Sequence, residues 1–428
     1  SLFRDQEKKN ILFLIFPFLI VLQPDFVAVH LYLWSEPVFI FLVLTHLMIL
    51  KKMVSEEKGS LKYFFFLVLI TGTATMARYA GLFLVLVNII AILAFVRLSD
   101  SWRSHSWAYF YEKWNLPDWI SIDAVRRIWI ASIVALLSLL PMVLWSLFNV
   151  LRGSKAVNRN IVWHIPGQQH LAQANAALAN WFHVPQNFGW LVILLLVISL
   201  IWAFNYKTLS WKSGNNNSRS LIPLSGLYIA IYIFFMLASI SLADYHTPLD
   251  GRILVPIMPV VMALIARFFR SFQAKSVSLL LLVVIMSLLA MNVSKSVELI
   301  VMSKKNGIGF ANRNIQEMQI IRTVRKLPSK WKVFTNGPEF FSLYLPQGST
   351  MFPQKIHPGT QLDNEQYTAQ MEVMRRTADA LVFFAGMNYR YYLPDASELN
   401  RQAGFHLAYS QTDGAMWIRN ENNREHEK

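Results

Sequence analysis

The 428-residue sequence contains no cysteine. That excludes disulfides, cysteine-ligated zinc and thiol catalysis, and it fixes no compartment. Charge is scarce as well: 15% of residues are Asp, Glu, Lys or Arg, against about a quarter in an average soluble domain. Acidic residues are the scarcer sign, 25 against 40 Lys and Arg, which leaves a net charge of +15. Stretches such as Ser278 to Met291 and Trp190 to Phe204 hold no ionisable side chain at all, which a soluble core helix rarely allows. Several signatures are also missing. No P-loop, GxGxxG fingerprint, HExxH or GxSxG occurs, so the chain does not read as an ATP-driven pump, a dehydrogenase, a zincin or an α/β-hydrolase. There is no signal-peptide pattern and no internal repeat.

What fills the sequence instead is apolar. Hydrophobic residues make up 54% and mean hydropathy is +0.37. With about 17–25 apolar residues needed per crossing, about nine crossings emerge. They lie near 10–23, 34–50, 62–77, 80–96, 128–150, 188–205, 221–242, 253–270 and 276–292. The expected fold is therefore a polytopic α-helical membrane protein.

The Lys and Arg residues lie between these runs rather than in one patch, which speaks against nucleic acid and for membrane topology. One set of loops carries Lys8, Lys9, Lys51, Lys52, Lys58, Lys62, Arg97, Arg103, Lys113, Arg126, Arg127, Lys207, Lys212, Arg219, Arg267, Arg270 and Lys275. The alternate set carries only Arg78, Arg152, Lys155, Arg159 and Arg252. The rich side reads as cytoplasmic in a multi-pass cell-membrane protein. Glu36, Arg78, the loop 151–187, the segment 244–252 and everything beyond about residue 293 then share the outer side.

Residues 1–293 thus form a multispanning domain and residues 294–428 a polar one. In the second, helical spacing over 312–327 stops at Pro328, and strands are expected at 332–335 and 380–384. Asn364 is placed to cap a helix reaching Ala378, and Asp413-Gly414 to turn a closing hairpin. A small extracytoplasmic α/β domain fits.

Charged residues beside apolar runs are costly unless used. Glu36, in Ser35-Glu36-Pro37, has two readings: a functional carboxylate, or an acid complementing the dipole of a helix that Ser35 caps and Pro37 opens. Asp25 in the same loop reads as a turn or cap residue, or as part of a site. Arg78 separates two apolar runs; it either snorkels or binds a lipid phosphate. Asp244, His246, Asp250 and Arg252 fall within nine positions, a dense group that is either an internally paired loop or a site. The loop 151–187 adds Arg159, Trp163, His164, His170, Trp181 and His183, side chains suited to stacking on a sugar and to binding its hydroxyls, or to an interfacial belt. His164 and His170 are six apart and do not share a helical face, so no metal site is read there.

Taken in order, several stretches resemble the GT-C class of membrane glycosyltransferases, in particular the bacterial branch similar to dolichyl-phosphate-mannose protein mannosyltransferases. They are Leu33-Trp-Ser-Glu-Pro-Val-Phe39, Thr75-Met-Ala-Arg-Tyr-Ala-Gly-Leu82, the Pro141 to Asn149 run with Arg152 and Arg159, Leu249-Asp-Gly-Arg-Ile-Leu-Val-Pro256 and Thr335-Asn-Gly-Pro-Glu-Phe340. Phe148-Asn149 departs from the family's Arg-Asn pair. The resemblance implies inverting transfer of a sugar from a polyprenyl-phosphate donor to a glycan, lipid or protein acceptor at the outer face, with no cofactor and no metal. It assigns the general base to an earlier extracytoplasmic loop, expected upstream of Ser1, and leaves the catalytic residue here unknown. Glu36, Arg78, Asp250 and Arg252, with Asp25 and His164, are the expected substrate-binding residues. Two alternatives use the same outward charges: a non-catalytic flippase or transporter of lipid-linked glycans, and a polymerase of such glycans.

Overall fold

The computed structural model describes residues 17–32, 35–55, 61–95, 122–152, 162–210, 221–243, 245, 247–270, 275–309, 312–358 and 361–420. The basic opening, most of the first expected crossing, Trp34, Arg159, Asp244 and His246 lie outside these residues. The protein is mostly helical with a small C-terminal sheet. Contacts divide it into two units, one built from the helices up to Leu299 and one from Ile300 onward together with Val162 and Tyr245.

The first unit contains α1 (Pro24–Leu31), α2 (Glu36–Ser55), α3 (Leu61–Ala77), α4 (Leu82–Ala94), α5 (Ile122–Leu151), α6 (Gln168–Trp181), α7 (Gly189–Ser210), α8 (Leu221–Leu242), the four-residue α9 (Gly251–Leu254), α10 (Met258–Arg270) and, as far as Leu299, α11 (Lys275–Asn306). Among the described residues five stretches are long and apolar enough to cross a membrane: α2, α5, α8, the continuous Gly251–Phe269 and α11. The pair α6 and Gln186–Trp202, bent by 101°, makes a sixth if taken as one span. Helices α3 and α4 are apolar but shorter, 17 and 13 residues, or about 25 and 20 Å at 1.5 Å per residue.

Helix α2 shows how the unit packs. Phe39, Val43, Leu47 and Leu50 recur at helical spacing and are buried, while Val38, Phe41 and Met48 on other faces are exposed and equally apolar. A helix apolar all round belongs in lipid or in a large core. In lipid, burying a leucine between helices gains little over leaving it in acyl chains, so close packing and interhelical hydrogen bonds must hold the bundle together.

Helix α6 has no counterpart among the expected crossings. Its Ala-, Gln- and Asn-rich sequence offers no apolar run, yet its Ala177, Leu178 and Trp181 are buried in the bundle. Helix α11 continues well past the expected end near residue 292, because nothing from there to Asn306 breaks it.

The second unit folds as expected at the strand positions. Strands β1 (Val333–Thr335), β2 (Thr350–Met351), β3 (Ala380–Phe384), β4 (Phe405–Gln411) and β5 (Gly414–Arg419) form a sheet in the order β2-β1-β3-β5-β4. β1 is parallel to both β2 and β3, and β5 runs antiparallel to β3 and β4. Alternation places Val333, Ala380 and Val382 against Ile320, Ile321, Val324 and Phe340 on one face. Phe334 and Leu381 meet Phe352, Met374 and Trp417 on the other. The helix expected over 312–327 is split into Arg313–Gln316 and Gln319–Val324, the break falling at extended Met318. Asn364 lies just ahead of helix Tyr367–Thr377 and accepts from the Gln366 N–H at 3.0 Å.

Candidate functional site

Glu36 opens α2 and is fully buried. Two guanidinium groups from distant parts of the chain converge on its Oε1. Arg252, on α9, donates from Nε at 2.6 Å, and Arg78, at the corner between α3 and α4, pairs through Nη1. The other carboxylate oxygen, Oε2, is buried without a hydrogen-bond partner among the described residues. Arg78 is 17% exposed and Arg252 45% exposed, so the arginines form the open side of the cluster and the carboxylate its floor.

The chain reaches these positions for local reasons. Arg78 adopts an extended backbone between the end of α3 and a short 3-10 turn. The turn folds back hard on α3, since a Cβ at Gly81 would lie 2.4 Å from the Ala74 carbonyl carbon; only glycine fits. Arg252 is set by a capped turn. The Asp250 carboxylate accepts from the Ile253 N–H at 3.1 Å, and Tyr232 on α8 donates to the Ile253 carbonyl at 2.5 Å. The helices that carry the cluster meet in edge-on aromatic contacts: Phe83 lies 5.1 Å between ring centres from Tyr232, 5.9 Å from Tyr228 and 6.4 Å from Phe39.

Asp25 and Asp250 flank the cluster. Asp25, in the first turn of α1, lies against the backbone of α9, where a Cβ on Gly251 would sit 2.5 Å from its Oδ2. Burial pushes the Asp25 carboxyl above the usual carboxylate range, and the nearby charge of Asp250 adds to this against the opposing pull of Gln23 and Trp181. The indole N–H of Trp181 acts from close by without completing a hydrogen bond, and among the described residues Asp25 Oδ2 is likewise buried without a partner. Asp250, one of the expected substrate-binding residues, caps α9 through its Oδ1 and thereby sets Arg252. His164 is tied through its backbone N–H to the Ser241 carbonyl at 2.7 Å, at the end of α8. No group of three His, Asp or Glu residues among the described residues is arranged to hold a metal ion.

A second polar array was missed in the sequence. His46 of α2 is fully buried, with Nε2 2.8 Å from Asn88 Oδ1 and Nδ1 on the Tyr228 hydroxyl. Asn88 Nδ2 donates to Thr71 Oγ1 at 3.0 Å. Because Asn88 Oδ1 only accepts, the network assigns the imidazole proton to Nε2, and Tyr228 then donates to Nδ1. The chain Tyr228–His46–Asn88–Thr71 links α8, α2, α4 and α3. These are the helices that carry Tyr232 and Glu36 and that flank Arg78.

In the second unit, the Thr335 to Phe340 motif closes the ends of the parallel strands. Asn336 exchanges two hydrogen bonds, both 2.9 Å, with the backbone of Phe384. Arg390 donates to the Asn336 carbonyl at 2.9 Å and pairs with Glu339. Comparison with protein-family models and with curated proteins finds no match.

Proposed function

We propose that this chain is a membrane glycosyltransferase of the GT-C kind its sequence resembles, passing a sugar from a polyprenyl-phosphate donor to an acceptor at the outer face of a cell membrane. The observation that carries the proposal is the convergence of Arg78 and Arg252 on one oxygen of a buried Glu36. In inverting transfer the acceptor oxygen attacks the anomeric carbon, the bond to the phosphate oxygen breaks, and its electron pair leaves with the phosphate. Negative charge grows on that leaving group. Two guanidinium groups held in place beforehand by a buried carboxylate stabilise it without reorganising at the moment of bond cleavage. Glu36 plays the positioning part, Arg252 the exposed one that a donor meets first, and Asp25 and Asp250 border the acceptor side. In this reading the apolar helices span the bilayer, the Lys/Arg-poor loops face outward, and the residues beyond 293 are extracytoplasmic.

The test is transfer from a radiolabelled polyprenyl-phosphate sugar by membranes containing the full-length protein. Arg78→Ala and Arg252→Ala are each expected to slow transfer by about 30- to 1000-fold, the equivalent of about 2–4 kcal/mol, by analogy with loss of an oxyanion donor. Undiminished transfer in both variants, at equal expression, refutes the phosphate-holding role. Movement of the lipid-linked sugar across the bilayer without covalent transfer would favour a carrier.

A further inference from the structure

Arg126 lies in the second turn of the 30-residue helix α5 and is 1% exposed. Its Nη1 reaches the Asp123 carboxylate only at 3.4 Å, and that carboxylate is 52% exposed. Its Nε and Nη2 are buried and have no hydrogen-bond partner among the described residues. These two N–H groups share one edge of the guanidinium plane, the edge that grips two oxygens of a carboxylate or phosphate side by side. A buried guanidinium whose bidentate edge has no partner among the described residues is a costly arrangement, and Arg126 belongs to the first turns of a long helix, the end whose dipole favours an anion. The unpartnered edge calls for an oxoanion, and the helix end favours one.

The neighbouring Arg127 is already employed, donating to the Leu93 carbonyl at the end of α4 at 2.9 Å. That contact also locates the site. Arg78 precedes the start of α4 and Leu93 closes its far end, so 13 residues of helix put about 20 Å between the Arg126 edge and the Glu36 cluster. The surroundings are apolar. On the face of Arg126, Ile130, Ala131 and Val134 are buried in the bundle, while Ile128, Trp129, Ile133 and Leu136 are exposed along the flank of α5.

We propose that the Nε/Nη2 edge of Arg126 binds one phosphate group, that of a lipid headgroup whose acyl chains lie along the exposed apolar flank of α5. The chemistry recognised is a phosphate oxoanion, and a soluble phosphate could reach the same edge; the apolar flank favours the lipid. This site does not depend on the transfer reading and lies at the opposite end of α4 from it.

The experiment uses the full chain in detergent, with dioleoyl phosphatidylglycerol, dioleoylglycerol and inorganic phosphate as probes, followed by native mass spectrometry and thermal unfolding. Wild type is expected to hold one phosphatidylglycerol at least about tenfold more tightly than Arg126→Ala, the loss of two charge-assisted hydrogen bonds. Arg126→Lys, which keeps the charge and loses the fork, should fall between them. Dioleoylglycerol has the same chains and no phosphate, and should not distinguish the proteins. Stabilisation by inorganic phosphate equal to that by phosphatidylglycerol would keep the oxoanion site and overturn the lipid as its source. Equal binding of all three probes by wild type and Arg126→Ala would overturn the site. If Arg126→Ala does not fold, wild type alone decides, because equal thermal shifts with phosphatidylglycerol and dioleoylglycerol would overturn it too.

Discussion

The Nε–H of Arg252 donates to Oε1 of Glu36 across 216 positions of sequence, at 2.6 Å. Together with Arg78 on the same oxygen, it makes Glu36 the point where α2, the α3–α4 corner and α9 are fastened. Removing the carboxylate strands two guanidinium groups at once. Because both arginines keep some solvent, the cost should sit at the low end for a broken buried pair, about 3 kcal/mol. Glu36→Gln should therefore lower the melting temperature in detergent. The double variant Glu36→Gln with Arg78→Met should recover part of the loss. A Glu36→Gln protein as stable as wild type would mean that the carboxylate fastens nothing.

The Asp25 carboxyl leads to a pH dependence. Its proton affinity is raised above the ordinary value of 3.8, chiefly by burial. A carboxyl with a raised folded-state pKa contributes stability that is fully present below the unfolded value and is lost as pH rises through the folded one. Asp25→Asn imitates the protonated form. The variant should melt higher than wild type near neutral pH, with the difference shrinking as pH falls toward 4. A gap of constant size across that range would show that Asp25 does not titrate in this window.

The polar chain under the site predicts coupling. His46→Ala takes the partner from Asn88 Oδ1 and from the Tyr228 hydroxyl, and Asn88→Ala takes it from His46 Nε2 and from Thr71 Oγ1. Each should cost about 1–3 kcal/mol of stability. The two residues share a bond, so the double variant should lose clearly less than the sum of the singles. Additive losses in a melting series would indicate that the residues are independent and that the close contact between them contributes little.

Much of this was legible in sequence, and the limits have physical causes. Glu36, Arg78, Asp250 and Arg252 stood out because charge is scarce in an apolar chain. Their pairing was not legible: the contacts join residues far apart in sequence, and no local pattern encodes which arginine reaches which carboxylate. Asn88 sits singly inside an apolar run, His46 and Thr71 have only threonines as nearby polar residues, and none of the three leaves a helix-period trace. The one available signal was that a polar side chain at such depth needs a partner. Helix α6 was hidden for the opposite reason, since an Ala- and Asn-rich amphipathic helix fails any test for apolar runs. The strands of the second unit were readable because buried β-branched and aromatic runs such as Ala380 to Phe384 have few other uses.

Asn336 offers the sharpest test in the second unit. It is 1% exposed, and its side chain imitates a strand partner. Nδ2 donates to the Phe384 carbonyl and Oδ1 accepts from the Phe384 N–H, both at 2.9 Å. Only an amide supplies a donor and an acceptor at that spacing. Asn336→Asp keeps the shape and turns the donor into a second acceptor, so a buried carboxylate oxygen faces the Phe384 carbonyl. Asn336→Ala leaves both backbone groups unsatisfied. Either change should cost about 2–3 kcal/mol, and the aspartate variant should recover in part at acid pH, where its carboxyl is protonated and can donate again. Hydrogen exchange on the full chain reads this directly. The Phe384 amide should lose protection in both variants, whereas that of Trp417, held by ladder bonds elsewhere in the sheet, should change less. Unaltered protection at Phe384 would show that the β1–β3 ladder holds the strand end without the side chain.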